Sequence, residues 1–180
     1  MKKALIVIDY TNDFVAADGK LTCGEPGQAI ESKIVELIET FTEQKELVVF
    51  ANDVHFEGDL YHPETKLFPP HNIFGTSGRE LYGKVKTKYE ENKAQYISLD
   101  KTRYSAFAST NLALLLKERG INEIHLVGVC TDICVLHTAV DAYNLSYKTI
   151  IYKGGVASFN KAGHDWALGH FEHTLGATVK

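Results

Sequence analysis

Cys134 has the sequence context of a nucleophilic cysteine. The apolar run at residues 124–129 ends at Cys130-Thr131-Asp132, and a helical pattern of apolar residues begins directly afterwards. These features predict a buried strand, a tight turn and a helix, with Cys134 in the first helical turn. Free backbone N–H groups and the positive end of the helix dipole lower the pKa of a thiol there. A lone cysteine is more often a small buried hydrophobic residue, so Cys134 alone does not decide between the two interpretations.

Asp9 and Lys101 follow other predicted strands and could supply the acid–base chemistry that a thiol nucleophile requires. A carboxyl group at Asp9 can take the thiol proton and later deliver it to a leaving amine. An ammonium group at Lys101 would stabilise the thiolate, and the backbone N–H groups of Cys130 and Cys134 would form an oxyanion hole. Taken singly, a strand-end Asp more often caps a loop and a Lys more often lies on the surface. Because ligands bind beyond the carboxyl ends of parallel strands, the shared position removes most of the preference for these structural roles.

The irregular stretch at residues 52–84 contains a second group of candidate functional residues, and so long a loop is usually functional. Its possible metal ligands are Asp53, His55, His62, Glu64 and His71. Carboxylate and imidazole ligands suit Zn, Mn or Fe(II), and a mixed set leaves coordination positions open for water or substrate. There are more candidates than a site needs, so at least one of His62 and Glu64 is expected to lie outside it. The alternative is a polar, exposed loop with incidental histidines.

Aromatic residues lie close in sequence to these polar groups. Phe14, Phe68 and Tyr104 are in predicted loops and are candidates for the walls of a flat pocket that binds an aromatic ring. Core packing is the default role of such residues, and Phe107 in particular is expected to face the interior.

The pattern of strands and helices predicts how these residues are brought together. Continuous apolar runs predict strands at 4–8, 47–51, 96–99, 124–129 and 147–152, with a short edge strand at 177–179. Helical spacing predicts helices at about 28–44, 106–119, 133–143 and 161–175. The segment 10–27 is predicted to be a loop, and the alternating Lys84, Lys86 and Lys88 to be a solvated strand or loop. Alternating strands and helices predict a three-layer α/β/α sandwich with a mostly parallel central sheet.

Composition narrows the range of functions. The chain has 180 residues, a net charge of -4 and 44% apolar residues, so we expect one globular domain over residues 1–180, with a metal-binding loop inserted at about 52–84. The charge gives no reason to expect binding to nucleic acid or to a membrane surface. No apolar run is long enough for a signal peptide or a membrane span, so we expect a cytoplasmic protein. Three cysteines, an odd number, argue against a disulfide framework.

Five separated motifs together resemble one known family. They are Ile6-Val7-Ile8-Asp9-Tyr10 with Asp13-Phe14, Asp53-Val54-His55, Phe68-Pro69-Pro70-His71 with Gly75-Thr76, Lys101 with Tyr104-Ser105-Ala106-Phe107, and Gly128-Val129-Cys130-Thr131-Asp132-Ile133-Cys134-Val135. The sequence resembles the isochorismatase-like cysteine hydrolases over nearly its whole length. Within that superfamily it is most similar to the nicotinamidase, or pyrazinamidase, branch of the streptococcal type.

The resemblance implies a site and a reaction. The implied site is a triad of Cys134, Asp9 and Lys101, a cis peptide bond between Val129 and Cys130, and one divalent ion, zinc or else manganese or iron, held by Asp53, His55, Glu64 and His71. The implied reaction is hydrolysis of nicotinamide to nicotinate and ammonia in NAD salvage, with pyrazinamide as a side substrate. A homo-oligomer is expected because relatives are often dimers or tetramers. The alternatives are another hydrolase of the superfamily, acting on an amide, ureido or vinyl-ether substrate, and a catalytically silent protein that binds a pyridine metabolite.

Overall fold

A six-stranded, entirely parallel sheet forms the centre of the computed structural model, which describes residues 2–180. In chain order the strands are β1 (Lys2–Ile8), β2 (Leu47–Asp53), β3 (Ile97–Lys101), β4 (Ile121–Val129), β5 (Lys148–Ala157) and β6 (Thr178–Val179). Their order across the sheet is β3-β2-β1-β4-β5-β6, so β1 and β4 lie at its centre. The polypeptide crosses over between neighbouring parallel strands, and the carboxyl ends of all six strands therefore meet at one edge.

Helices cover both faces of the sheet. They are α1 (Asn12–Val15), α2 (Gly24–Ala29), α3 (Glu31–Glu43), α4 (Gly83–Asn92), α5 (Leu112–Glu118), α6 (Leu136–Asn144) and α7 (Lys161–His173). Successive residues of β1 point to opposite faces: Ile6 packs in a core cluster with α5, α6 and α7, whereas Leu5 and Val7 pack in a second cluster with α3. This is the predicted three-layer α/β/α architecture. No helix in residues 2–180 combines the length and the apolar character needed to span a membrane.

Three predicted elements differ from the structure. The lysine alternation at residues 84–88 belongs to α4, in which Val85 is buried and Lys88 pairs with Glu39 of α3, so the prediction of a strand or loop was wrong. The predicted loop at 10–27 contains α1 and most of α2. The predicted helix at 106–119 is shorter, because residues 106–111 form turns in which Ser109 has a φ of 57°.

The stretch between β2 and α4 is irregular apart from two short 3-10 turns, Pro63–Lys66 and Ser77–Arg79. The buried carboxylate of Asp13 holds the part of this stretch nearer to α4, since Asp13 Oδ2 accepts a hydrogen bond of 2.7 Å from the Asn72 amide. The carboxylate also lies against Gly78, where an added Cβ would be 2.3 Å from Oδ2. Asp13 therefore ties this loop to the segment that follows β1.

Candidate active site

The carboxyl ends of four strands bring the candidate catalytic residues together. Asp9 directly follows β1, Asp53 and Lys101 end β2 and β3, and the turn that carries Cys134 follows β4. The Nζ atom of Lys101 lies 2.7 Å from Asp9 Oδ2 and 3.5 Å from Cys134 Sγ. The other oxygen of Asp9 accepts a hydrogen bond of 2.6 Å from the Asp53 amide. The structure thus places a carboxyl group, an ammonium group and a thiol in direct contact.

Burial strongly affects the ionisation of Lys101 and Asp9. Lys101 is only 1% exposed, and although burial opposes its charge, the neighbouring Asp9, Cys134 and Asp53 hold its pKa well above the usual value. Burial raises the pKa of Asp9, and the Lys101 ammonium counteracts part of that rise. A carboxylate with a raised pKa is a stronger base than an ordinary aspartate, which suits it to accept a proton from a thiol.

The expected lowering of the Cys134 pKa is wrong. Burial raises the pKa of this thiol well above its usual value, and the attraction of Lys101 offsets only part of that rise. Cys134 also lies in a π-helical turn, Thr131–Val135, and not in the first turn of α6. The resting side chain is therefore a neutral thiol, so a base has to remove its proton during the attack on a substrate.

The turn before α6 carries the two amides predicted to form the oxyanion hole. The peptide bond between Val129 and Cys130 is cis, as the resemblance implies. The Cys130 carbonyl accepts hydrogen bonds from the Ile133 and Val135 amides, both at 3.1 Å, which closes the turn. The Cys130 side chain packs in the core cluster with α3, 3.4 Å from Cys23 Sγ, whereas Cys134 packs in the cluster with α6. The function of the two amides stays a prediction.

Asp53, His55, Glu64 and His71 form a buried group whose potential ligand atoms all lie within 4.8 Å of one another. His55 Nε2 is 2.7 Å from Asp53 Oδ2, and His71 Nε2 is 3.5 Å from Asp53 Oδ2 and 3.6 Å from Glu64 Oε2. Among residues 2–180, buried His71 Nε2 and Asp53 Oδ1 have no hydrogen-bond partner. Buried polar atoms seldom lack a partner, so a group of two carboxylates and two imidazoles that leaves two such atoms unpaired fits a divalent ion.

His62 lies beside this group but does not point into it. Its Nε2 donates a hydrogen bond of 2.8 Å to the Thr102 carbonyl, which leaves Nδ1 as the acceptor for the Glu64 amide at 3.2 Å. Its ring packs against the His55 ring with centroids 4.3 Å apart. Both ring nitrogens are thus engaged, and His62 orients two of the candidate ligands without offering one itself.

Two of the three predicted pocket aromatics lie beside the same group. The ring centroids of Phe14 and Phe68 are 5.2 Å and 6.3 Å from that of His71. Burial raises the pKa of Tyr104 to about 12, and its ring centroid lies 5.1 Å from that of His137 in α6. Phe107 stacks on Tyr147 in the core, as expected for that residue.

A cavity of about 340 Å³ opens from the surface onto the candidate metal ligands Asp53, His55, Glu64 and His71, called the metal-ligand group below. Its lining includes Phe68 and three of the candidate ligands, His55, Glu64 and His71. Two residues that support this region had no role assigned from the sequence. They are the buried Asp13, which stood there only as part of a motif, and Arg79, whose Nε donates to the Asp53 carbonyl at 2.9 Å. Both act through backbone groups that are distant in sequence, and only the folded chain brings these together.

Comparison with known proteins identifies the family. The family model described as Isochorismatase domain matches residues 3–180. The chain belongs to this family. Its fold is similar to that of nicotinamidase/pyrazinamidase PncA from Bacillus subtilis, with 58% identity, a TM-score of 0.97 and 99% of each chain covered.

Two further structures extend the comparison. Pyrazinamidase/nicotinamidase from Streptococcus mutans is 50% identical, with a TM-score of 0.97 over 99% of this chain and 100% of that one. Pyrazinamidase of Pyrococcus horikoshii, in complex with zinc, is 26% identical, with a TM-score of 0.88 over 100% of this chain and 99% of that one. The sequence resemblance to the nicotinamidase branch, and to its streptococcal form, is confirmed.

Proposed function

We propose that this protein is a nicotinamidase, which hydrolyses the carboxamide of nicotinamide to give nicotinate and ammonia. The observation that carries the proposal is the direct link between the catalytic and the metal-ligand groups. Asp53 belongs to the metal-ligand group, its amide donates to Asp9, and its carboxylate lies 3.7 Å from Lys101 Nζ. A pyridine ring held at the metal-ligand group would therefore present its carboxamide to the catalytic residues, as hydrolysis of nicotinamide requires.

Asp53, His55, Glu64 and His71 would hold one divalent ion, zinc or else manganese or iron. When bound, such an ion would offer an open coordination position to a ring nitrogen and so anchor a pyridine ring. Support for zinc comes from the donor set and from the similar Pyrococcus horikoshii pyrazinamidase in complex with that metal. Phe14, Phe68 and Tyr104 would enclose the ring and exclude water from it. A pyrazine ring has a nitrogen in the same position, so pyrazinamide is expected as a second substrate.

In the proposed first step, Asp9 removes the proton of the Cys134 thiol as the sulfur attacks the carboxamide carbon. A carbon–sulfur bond forms, and the amides of Cys130 and Cys134 stabilise the negative oxygen of the tetrahedral intermediate. The Lys101 ammonium stabilises the sulfur while it carries negative charge. When the intermediate collapses, Asp9 delivers its proton to the amide nitrogen, the carbon–nitrogen bond breaks and ammonia leaves.

The second step resolves the thioester. Asp9, again a carboxylate, takes a proton from a water molecule whose oxygen attacks the thioester carbon. The carbon–sulfur bond breaks, Asp9 returns its proton to the Cys134 sulfur, and the acid product releases its remaining proton to water and leaves as nicotinate. The product would serve NAD salvage in the cytoplasm.

Ammonia release from nicotinamide tests the proposal. Wild-type protein should release ammonia, a chelator should abolish the release, and added zinc or manganese should restore it. Cys134→Ala should show no turnover while retaining the metal content and the melting temperature of the wild type, because its side chain holds no ion. Normal turnover by Cys134→Ala would disprove the thioester mechanism. Binding of nicotinamide without turnover by metal-loaded wild-type protein would instead favour a silent binding protein.

A further inference from the structure

The turn that carries Cys134 is held from outside by the first turn of α7. It is a π-helical turn of five residues, Thr131–Val135, wedged between the end of β4 and the start of α6. The wider hydrogen-bonded ring of a π-turn is less regular than that of an α-helix, and such turns occur frequently at functional sites. Contacts with neighbouring elements therefore have to fix where its side chains lie.

The Asp132 carboxylate makes the first of these contacts. Its Oδ1 accepts a hydrogen bond of 2.6 Å from the Ser158 hydroxyl, which in turn accepts one of 3.2 Å from the Asn160 amide. Asn160 is the N-cap of α7, because its side chain accepts a hydrogen bond of 3.1 Å from the Gly163 amide. Ser158 thus connects the turn that carries Cys134 to the N-cap of α7.

Gly163 provides the space that this contact needs. A Cβ atom added at Gly163 would lie 1.9 Å from Asp132 Oδ2 and 2.8 Å from its Cγ, so the carboxylate occupies the place of a side chain. A negative charge is also stabilised at this end of α7, where the helix dipole is positive. A second contact reinforces the first, since the buried Thr131 hydroxyl lies 2.8 Å from His164 Nδ1.

We propose that Asp132, Ser158 and Gly163 are positioning residues that hold the Cys134 sulfur against Lys101 and Asp9. None of them is a catalytic residue; they act through the backbone of the turn. Because the neutral thiol must lose its proton to Asp9 during attack, a displacement of the sulfur slows the reaction without removing any reacting group. This inference rests on the proposed thiol chemistry of Cys134, but its test also has a readout that does not require nicotinamide turnover.

The sharpest test compares two glycines of the same helix. In Gly163→Ala the new methyl group has to displace the Asp132 carboxylate and also meets Asn160 Nδ2 at 2.9 Å, whereas Gly169→Ala meets no atom within 4 Å. Small misplacements of reacting groups cost up to about 100-fold, so kcat of Gly163→Ala should fall by about 10- to 100-fold. Its KM should change by less than about threefold, because the groups that bind the ring are not displaced. Gly169→Ala should match the wild type in both constants.

Two further substitutions probe the carboxylate itself. Ser158→Ala removes the hydroxyl that holds Asp132, and we expect kcat to fall by about tenfold, with partial recovery in Ser158→Thr, which keeps a hydroxyl. Asp132→Asn retains the acceptor oxygen for Ser158, so it should lose less activity than Asp132→Ala. This order follows from the hydrogen bond and would not arise from a general loss of stability.

The alkylation rate of Cys134 by iodoacetamide, followed on its peptide by mass spectrometry, is the readout independent of substrate. Gly163→Ala should change the pH dependence of this rate, because the thiol no longer faces Lys101 and Asp9 in the same way. Metal content, melting temperature and the fluorescence of Trp166, the single tryptophan and itself in α7, should stay at wild-type values. Absence of nicotinamide turnover in the wild type would contradict the proposed function, while the alkylation comparison would still test the positioning.

Two results would overturn the inference. One is a Gly163→Ala protein whose kcat and alkylation profile both match those of the wild type. The other is a loss of activity that only parallels a loss of metal or of melting temperature, with Ser158→Ala and Asp132→Asn fully active.

Discussion

Lys101 is a charged side chain in the interior of the protein, and its carboxylate partners make that burial tolerable. Its ammonium lies 2.7 Å from Asp9 and 3.7 Å from Asp53, both of them buried. Removing a charge from water is expensive, and only such close opposite charges compensate for it. The same contacts hold the pKa of Lys101 well above its usual value, so the residue stays an ammonium throughout the proposed reaction. Stability and chemistry therefore depend on the same ion pair.

Replacement of Lys101 by Met should lower both the stability of the fold and the activity. The two carboxylates would remain buried without their cation, and breaking a buried pair in this way typically costs about 3–5 kcal/mol of unfolding free energy. Urea unfolding of the metal-loaded and metal-free proteins measures this loss, and ammonia release should fall to background. Lys86→Ala is the matched control, because Lys86 pairs with Glu80 on the exposed surface. Equal stability of Lys101→Met and the wild type would show that the pair does not stabilise the fold.

Among the elements, strands were the easiest to predict from the sequence and turns the hardest. The apolar run of β1 is buried on both faces, and this pattern alone indicated a central parallel strand and put Asp9 at its carboxyl end. By contrast, α4 was missed because only Val85 of this helix is buried, so it lacks the apolar stripe that identifies a helix. The direction of the Cys134 pKa shift was also missed, since it depends on burial by residues distant in sequence.

The start of α4 depends on a residue of α3. The Lys84 amide donates a hydrogen bond of 2.8 Å to Glu31 Oε1, so Glu31 caps α4 from across the helix pair. Glu31→Ala should lower the free energy of unfolding by about 1 kcal/mol, as loss of a helix cap usually does. Urea denaturation checks this value, with Glu43→Ala as control, since Glu43 is an exposed residue of the same helix. If both variants unfolded at the same urea concentration, the cap would contribute nothing.

For the molecule as a whole, the edge of the sheet opposite the candidate active site carries a second set of buried polar groups. His125 of β4 lies 2.9 Å from the Tyr152 hydroxyl through Nδ1 and 2.9 Å from Glu123 Oε1 through Nε2. A neutral imidazole satisfies both partners, since Nε2–H can donate to Glu123 while Nδ1 accepts from Tyr152. Burial lowers the pKa of His125 below its usual value, although Glu123 opposes that shift. Folding therefore disfavours protonation of this ring.

The stability of the whole chain should consequently depend on pH through His125. Below the ordinary histidine pKa of about 6.5 the unfolded chain binds a proton that the folded chain does not, so the unfolding free energy falls as pH decreases. The loss is at most about 1.4 kcal/mol per pH unit, and it ends once pH drops below the folded pKa.

Urea unfolding of the wild type and of His125→Gln between about pH 8 and pH 5 measures this loss of unfolding free energy. His125→Gln should be less stable at the upper end, because the packing of the ring against Phe41 is lost, yet should show a shallower slope below about pH 6.5. The two proteins share every other side chain, so the difference between the two slopes isolates His125. Parallel slopes would mean that His125 binds its proton equally well in the folded and the unfolded chain.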